Sequence, residues 1–338
     1  MEQLLLFLNP GLKIDKIESG GQNLPFRRDR QVIVIERSLA PGENIEIEME
    51  YGGTIDEDIY QINIPDNKFF STVRYSFDYE NYGKHTAFVS DKYTLLIPQV
   101  MWYPTAVPPV ELQASKETDF TDYTLRVKNP GEMTVLSQGK PTREGDNVTF
   151  NNLQNLTGLT LCIGNYEKRA ITVDSLTVEF YTYPGNDFYL NCFDEWEPLK
   201  KNNPDREKNL KEIFYECKNE IEYRTSIPYP FKYFKLIEVP SSFYFWSTTS
   251  FRDNIQPEMA LFWERLCGEQ ARHPGTLSGD PNQDVSVEEQ ILNRYMPAFL
   301  SRIGINNIFS NYNSSLTSDR YQGIELIFRK MINTNITR

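Results

Sequence analysis

Histidine is scarce: the 338 residues hold two, His85 and His273, and neither is followed by glutamate. A histidine-based zinc peptidase motif, H-E-x-x-H, needs two imidazoles one helical turn apart with a glutamate base between them. The chain contains no such motif, and each histidine is expected to be a surface or turn residue. Cysteine is also sparse, at Cys162, Cys192, Cys217 and Cys267, with no C-x-x-C spacing. A zinc knuckle is therefore not expected; the thiols read as half-buried small hydrophobes. No G-x-S-x-G elbow signals a serine nucleophile. No apolar run approaches the roughly 20 residues that span a bilayer. Residues 4–8 (LLLFL) are too short for a signal core and follow no basic segment. The chain opens inside a strand and reads as a piece of something longer. Positive charge is in the minority, 35 Lys and Arg against 47 Asp and Glu, a net charge of −12. Without a basic cluster to neutralise phosphates, nucleic acid is excluded as a partner.

Aromatic residues are plentiful, with Tyr 20, Phe 21 and Trp 4, and apolar types make up 39%. That composition supports a packed core. The length allows two domains at about 100–200 residues each. The first half alternates at period two, as strands do. Residues 44–51 (NIEIEMEY) place Ile45, Ile47, Met49 and Tyr51 on one face and acids on the other. Further strands are expected at 31–36, 123–127, 133–137, 148–150, 159–163 and 175–183, with Pro-Gly and Gly-Gly pairs as turns. Short strands at regular spacing predict a β-sandwich-like domain over residues 1–175. The period then changes. Asn203-Pro204-Asp205 starts a helix carrying Leu210, Ile213, Phe214, Cys217 and Ile221, ending near Thr225. Residues 234–239 (FKLIEV) read as a strand. Ser286 and Glu289 form a capping box before another helix, kinked at Pro297 and ended at Gly304, and Asp319 caps a last one. An α+β domain over 176–338 follows, with a mixed sheet and several helices.

Two clusters could carry chemistry. Phe193-Asp194-Glu195-Trp196-Glu197 pairs carboxylates around a tryptophan, but adjacent acids in a polar stretch read first as a solvated face. Phe243-Tyr244-Phe245-Trp246 could stack on a sugar or peptide, or fill a core or domain seam. Sequons stand at Asn147, Asn155, Asn313 and Asn335 and matter only in a eukaryotic secretory host.

Met101-Trp102-Tyr103-Pro104-Thr105, followed by residues 122–127 and by Val135-Leu136-Ser137-Gln138-Gly139, forms a further pattern. Together with Tyr51-Gly52-Gly53 it resembles the saddle-shaped amino-terminal β-domain of the M1 (gluzincin) aminopeptidases. Residues 227–232 (IPYPFK) and 236–240 (LIEVP) are similar to the opening of that family's thermolysin-like domain, so the resemblance implies a partial thermolysin-like α+β domain, without H-E-x-x-H. Gln256-Pro257-Glu258-Met259 stands where the family carries G-x-M-E-N, whose glutamate holds the substrate amino group; the resemblance assigns that role to Glu258. The opening Leu8-Asn9-Pro10-Gly11-Leu12 and the Trp102-Tyr103-Pro104-Thr105 segment look like the M1-like domain fused to bacterial ABC-2-type permeases. The resemblance covers about residues 1–265, and residues 270–338 match no part of the peptidase.

The expected function is a non-catalytic, M1-peptidase-like soluble domain of a bacterial membrane transport protein, in an extracytoplasmic (periplasmic) setting. Its partners would be the transmembrane permease region of the same parent and a peptide ligand. Candidate ligand-binding residues are Glu258, Gln256, Tyr244 and Trp246; no catalytic residue, metal ligand or cofactor is expected within the chain. Two alternatives stand beside it. One is a piece of a working zinc aminopeptidase whose metal motif lies beyond residue 338. The other is a glycan-binding module using Trp246, Tyr244 and Trp196.

Overall fold

The computed structural model describes residues 3–59, 88–106, 121–128, 131–151, 156, 158–186, 215, 219, 223, 232–240, 255–256 and 258–263. Within them the chain is built from strands in small sheets. The first two sheets use β1 (Leu4–Phe7), β2 (Leu12–Ser19), β3 (Gln22–Asn23), β4 (Phe26–Asp29), β5 (Val32–Ile35) and β6 (Glu48–Gly53). They pair antiparallel in the orders β1-β5-β4 and β3-β2-β6. The apolar run of β5 makes it a central strand, and Ile33 and Ile35 pack with Leu8, Leu12 and Ile17. Ile47, Met49 and Tyr51 cover the same core from one face, as their alternation predicts. The strand starts at Glu48 rather than at residue 44, because its partner β2 ends at Ser19 and the chain turns at Gly20 and Gly21 (φ 57° and 76°).

The next six strands are β7 (Tyr93–Leu96), β8 (Thr124–Lys128), β9 (Thr134–Leu136), β10 (Lys140–Glu144), β11 (Asn147–Asn151) and β12 (Leu161–Gly164). Sheet β10-β11-β8 packs on sheet β7-β12-β9 around Val135, Val148, Phe150 and Leu161. Two packed small sheets thus lie inside the span, residues 1–175, for which the turn spacing predicts a sandwich-like domain.

The last sheet contains β13 (Glu167–Val173), β14 (Leu176–Thr182), β15 (Tyr233–Val239), β16 (Ile255–Gln256) and β17 (Met259–Trp263), in the order β13-β14-β15-β17-β16. It is mixed: β15 runs parallel to both β14 and β17, while the two edge pairings are antiparallel. Parallel strands are buried on both faces and read as near-continuous apolar runs, which fits β14 and β15. One face of this sheet, with Tyr181, Ile237, Val239, Met259 and Leu261, packs on Leu95, Leu136 and Cys162. Sheet β7-β12-β9 is thus a middle layer. Leu161 on β12 faces the small sandwich and its neighbour Cys162 faces the mixed sheet. Burial pushes the Cys162 thiol up to about 12, so it is an inert packing residue.

The turn at Asp174 and Ser175, where the sequence places the change of domain, joins β13 to β14 as a hairpin. Tyr215, Asn219 and Tyr223 are helical and four apart, with both tyrosines exposed, on the polar side of the stripe predicted there. The rest of that helix, the two later helices, both histidines and the Phe193-to-Glu197 cluster lie outside the described residues. Among the described residues no helix is long and apolar enough to cross a membrane.

Candidate functional site

Burying a charged group in a sheet is costly unless it is paired or hydrogen-bonded. The mixed sheet buries several. Glu179 on β14 and Lys235 on β15 are register partners, 7% and 1% exposed. Glu179 Oε1 meets Lys168 Nζ at 2.5 Å, and its Oε2 accepts from the Tyr181 hydroxyl at 2.9 Å. Lys168, half exposed on β13, also lies over the Tyr181 ring, 5.6 Å from its centroid. Both oxygens of Glu179 are therefore held by Lys168 and Tyr181.

Lys235 is satisfied across the layers. Its Nζ donates to the Gly139 carbonyl at 2.8 Å, at the end of the Ser137-Gln138-Gly139 segment that follows β9. The N–H of the same glycine donates to Glu258 Oε2. Glu258 sits in the turn before β17 in the left-handed region, φ 61°, and its carbonyl accepts from the Lys235 N–H at 2.8 Å. A positive φ is unusual for a residue with a Cβ and persists where surrounding contacts fix it. Gly139 has φ 77°, a conformation glycine adopts freely. Lys168, Glu179, Lys235 and Glu258 thus form a row of alternating sign from the surface to Gly139.

Glu258 is half-buried. Burial raises its pKa, opposed by the positive charge of Lys235 and by the Gly139 N–H. Burial likewise lowers the pKa of Lys235, opposed by Glu258 and Glu179. Oε2 is fixed, whereas Oε1 takes no hydrogen bond among the described residues. Next to Gly139, Gln138 is fully buried and its Oε1 accepts the Thr160 N–H at 2.9 Å, which anchors this loop on the segment leading into β12.

Of the residues singled out by sequence, Glu258 is therefore in the row. Gln256 lies on the edge strand β16, paired with Met259. Tyr244, Trp246 and Trp196 lie outside the described residues. The Trp102-Tyr103 pair works as a clamp: Trp102 Nε1–H donates to the Leu159 carbonyl at 3.1 Å, and the Tyr103 hydroxyl accepts the Leu159 N–H at 2.9 Å. Sequence reading missed Lys235, Glu179 and Gly139. A lysine inside FKLIEV and a glutamate inside LTVEFYT, charges interrupting otherwise apolar strands, were the available signal.

Among the described residues no group of three His, Cys, Asp or Glu side chains could hold a metal ion. The row itself does not fit zinc: Glu179 is taken by Lys168 and Tyr181, and a dication at Glu258 would meet the Lys235 charge.

No family model and no curated relative matches the chain. Among solved structures it is similar to an M1 zinc metallopeptidase from Deinococcus radiodurans bound to a Tyr-Ser-Ala substrate, at 15% identity and TM-score 0.46, over 72% of this chain and 50% of that one. A two-domain M1 zinc metallopeptidase bound to L-arginine matches at 14% and TM-score 0.48, over 81% of this chain and 56% of that one. Aminopeptidase A of Legionella pneumophila, in complex with aspartic acid, matches at 12% and 0.47, over 78% and 26%. The chain spans about half the length of the metallopeptidases it matches.

Proposed function

We propose that the chain is a non-catalytic, M1-peptidase-like domain of a bacterial membrane transport protein, facing out of the cytoplasm beside the transmembrane permease region of its parent, and that it binds the amino terminus of a peptide at Glu258. The observation that carries the binding reading is the state of that carboxylate. One oxygen is fixed by a main-chain N–H, the other has no partner among the described residues, and the group is half-buried, where a charge-assisted bond to an ammonium is stronger than in water. The non-catalytic reading rests on the sequence, which supplies two separated histidines and no H-E-x-x-H. The membrane setting rests on the resemblance of the segments at residues 8–12 and 102–105.

The test is calorimetry with trialanine and its N-acetylated form. Trialanine binds and the acetylated peptide does not, because acetylation removes the cation. Glu258→Gln weakens trialanine by about tenfold to a hundredfold, the worth of a hydrogen bond to a charged group at about 1.5–3 kcal/mol. Equal binding of the two peptides rejects the site. Stoichiometric zinc in the purified chain, with turnover of an aminoacyl chromophore, rejects the non-catalytic part.

A further inference from the structure

Lys235 is sealed in β15, at 1% exposure, and its ammonium takes no carboxylate as a direct ion-pair partner among the described residues. Glu179, its register neighbour, is committed to Lys168 and Tyr181. The ammonium instead holds the carbonyl of Gly139, the residue whose N–H holds Glu258. Main chain and side chain close a ring: Lys235 N–H to the Glu258 carbonyl, Lys235 Nζ to the Gly139 carbonyl, Gly139 N–H to the Glu258 carboxylate. We propose that Lys235 is a positioning residue, which aims the Glu258 carboxylate by holding Gly139 and sets a positive charge beside it. In its ligand-binding consequence this rests on the amine-binding reading of Glu258; the coupling between the two side chains does not.

The groups facing Glu258 set the expectation. Lys168 on β13, Glu179 and Tyr181 on β14 and Lys235 on β15 share this face of the sheet, and Cys162 and Tyr166 belong to the core against which it packs. Lys168 is neutralised by Glu179 at 2.5 Å. Lys235 is thus the positive charge that acts most directly on Glu258, and its effect opposes that of burial.

The experiment titrates the carboxyl of Glu258 by carbon-13 NMR of glutamate-labelled full chain, using Glu258→Gln to assign the signal. Lys235→Met moves the Glu258 midpoint up by about one pH unit or more, the usual effect of losing an opposite charge at close range. Lys235→Arg keeps the charge and leaves the midpoint near that of the unaltered chain. The acid limb of trialanine binding shifts by the same amount in Lys235→Met. Should that variant not fold, Lys235→Gln retains a donor for the Gly139 carbonyl while losing the charge, and carries the same expectation. A Glu258 titration that is identical in the unaltered chain and in the uncharged variants overturns the proposal. A midpoint that moves while trialanine binds nowhere upholds the role of Lys235 and rejects amine binding at Glu258.

Discussion

Asn9 lies in what reads as a surface turn, Asn-Pro-Gly, yet it is fully buried. Its amide is used at every position. Oδ1 accepts the N–H groups of Gly11 at 2.9 Å and Asp56 at 2.7 Å, while Nδ2 donates to the carbonyls of Asp56 at 3.1 Å and Val100 at 2.9 Å. One side chain therefore replaces strand pairing among three segments that meet beside β1, β6 and the residues before Met101. The packing leaves no room for error, since a Cβ on Gly11 would stand 1.9 Å from the Thr54 carbonyl oxygen. Removing the amide strands buried donors and acceptors, each at about 1–3 kcal/mol. Asn9→Ala is expected to cost about 3 kcal/mol or more in urea unfolding, with an unchanged slope; a loss below about 1 kcal/mol would mean that water replaces the amide. Only the bond from Gly11 is local; the partners that bury the amide, Asp56 and Val100, stand 47 and 91 positions away. The same holds at the candidate site. Glu258 entered through family resemblance, and Lys235 could be seen only as a charge misplaced in an apolar strand, with Gly139 far along the chain.

At the scale of elements, the clamp around Leu159 shows how a strand is led into its sheet. Pairing of β12 starts at Leu161, and both main-chain groups of Leu159 are taken by the Trp102 indole and the Tyr103 hydroxyl. Tyr103 is further fixed edge-on between Trp102 and Tyr123, at centroid distances of 4.9 and 5.8 Å. Burial pushes the ionisation of its hydroxyl far above the ordinary phenol range, against the opposing effect of the Leu159 N–H that it accepts. Tyr103→Phe removes that acceptor and keeps the ring, so about 1–3 kcal/mol of stability is lost, with faster hydrogen exchange at the Leu159 amide as the specific sign. An unchanged exchange rate would contradict the clamp. Elements with an intact period were legible: β5, β11, β14 and β15 fall where alternation or an apolar run placed them, and β6 keeps its expected face while starting four residues later. β2 was not, because a bulge between Ile14 and Lys16 shifts its register and puts Ile14 and Ile17 toward one core, a spacing of neither strand nor clean helix. β10 was hidden for the opposite reason: Lys140–Glu144 is exposed throughout and carries no apolar signal, its position set by pairing with β11.

Among the described residues, the middle sheet β7-β12-β9 carries the mixed sheet on one face and sheet β10-β11-β8 on the other, and the ring through Gly139 is the polar tie between it and the mixed sheet. Apolar contact between Leu136, Cys162, Tyr181, Ile237 and Met259 supplies the adhesion. The ring fixes how the layers are set, since its bonds have direction and the apolar contacts do not. A charged tie makes stability depend on pH in a sign that can be worked out. Burial raises the Glu258 pKa, so between its ordinary value and its folded value the folded chain holds a proton that the unfolded chain has released. The stabilising contribution of this group is complete below the ordinary carboxylate value and is lost as pH rises through the folded one. Lys235 is shifted down, so in the window below its ordinary value of 10.5 the unfolded chain holds the extra proton, and its contribution grows as pH rises through that window. Urea unfolding from pH 4 to pH 10 reads both. Relative to the unaltered chain, Glu258→Gln lacks the decline on the acid side and Lys235→Met lacks the rise on the alkaline side. Curves that stay parallel to the unaltered chain over the whole range would show that neither side chain changes its proton affinity on folding, and the tie would then be a matter of geometry alone.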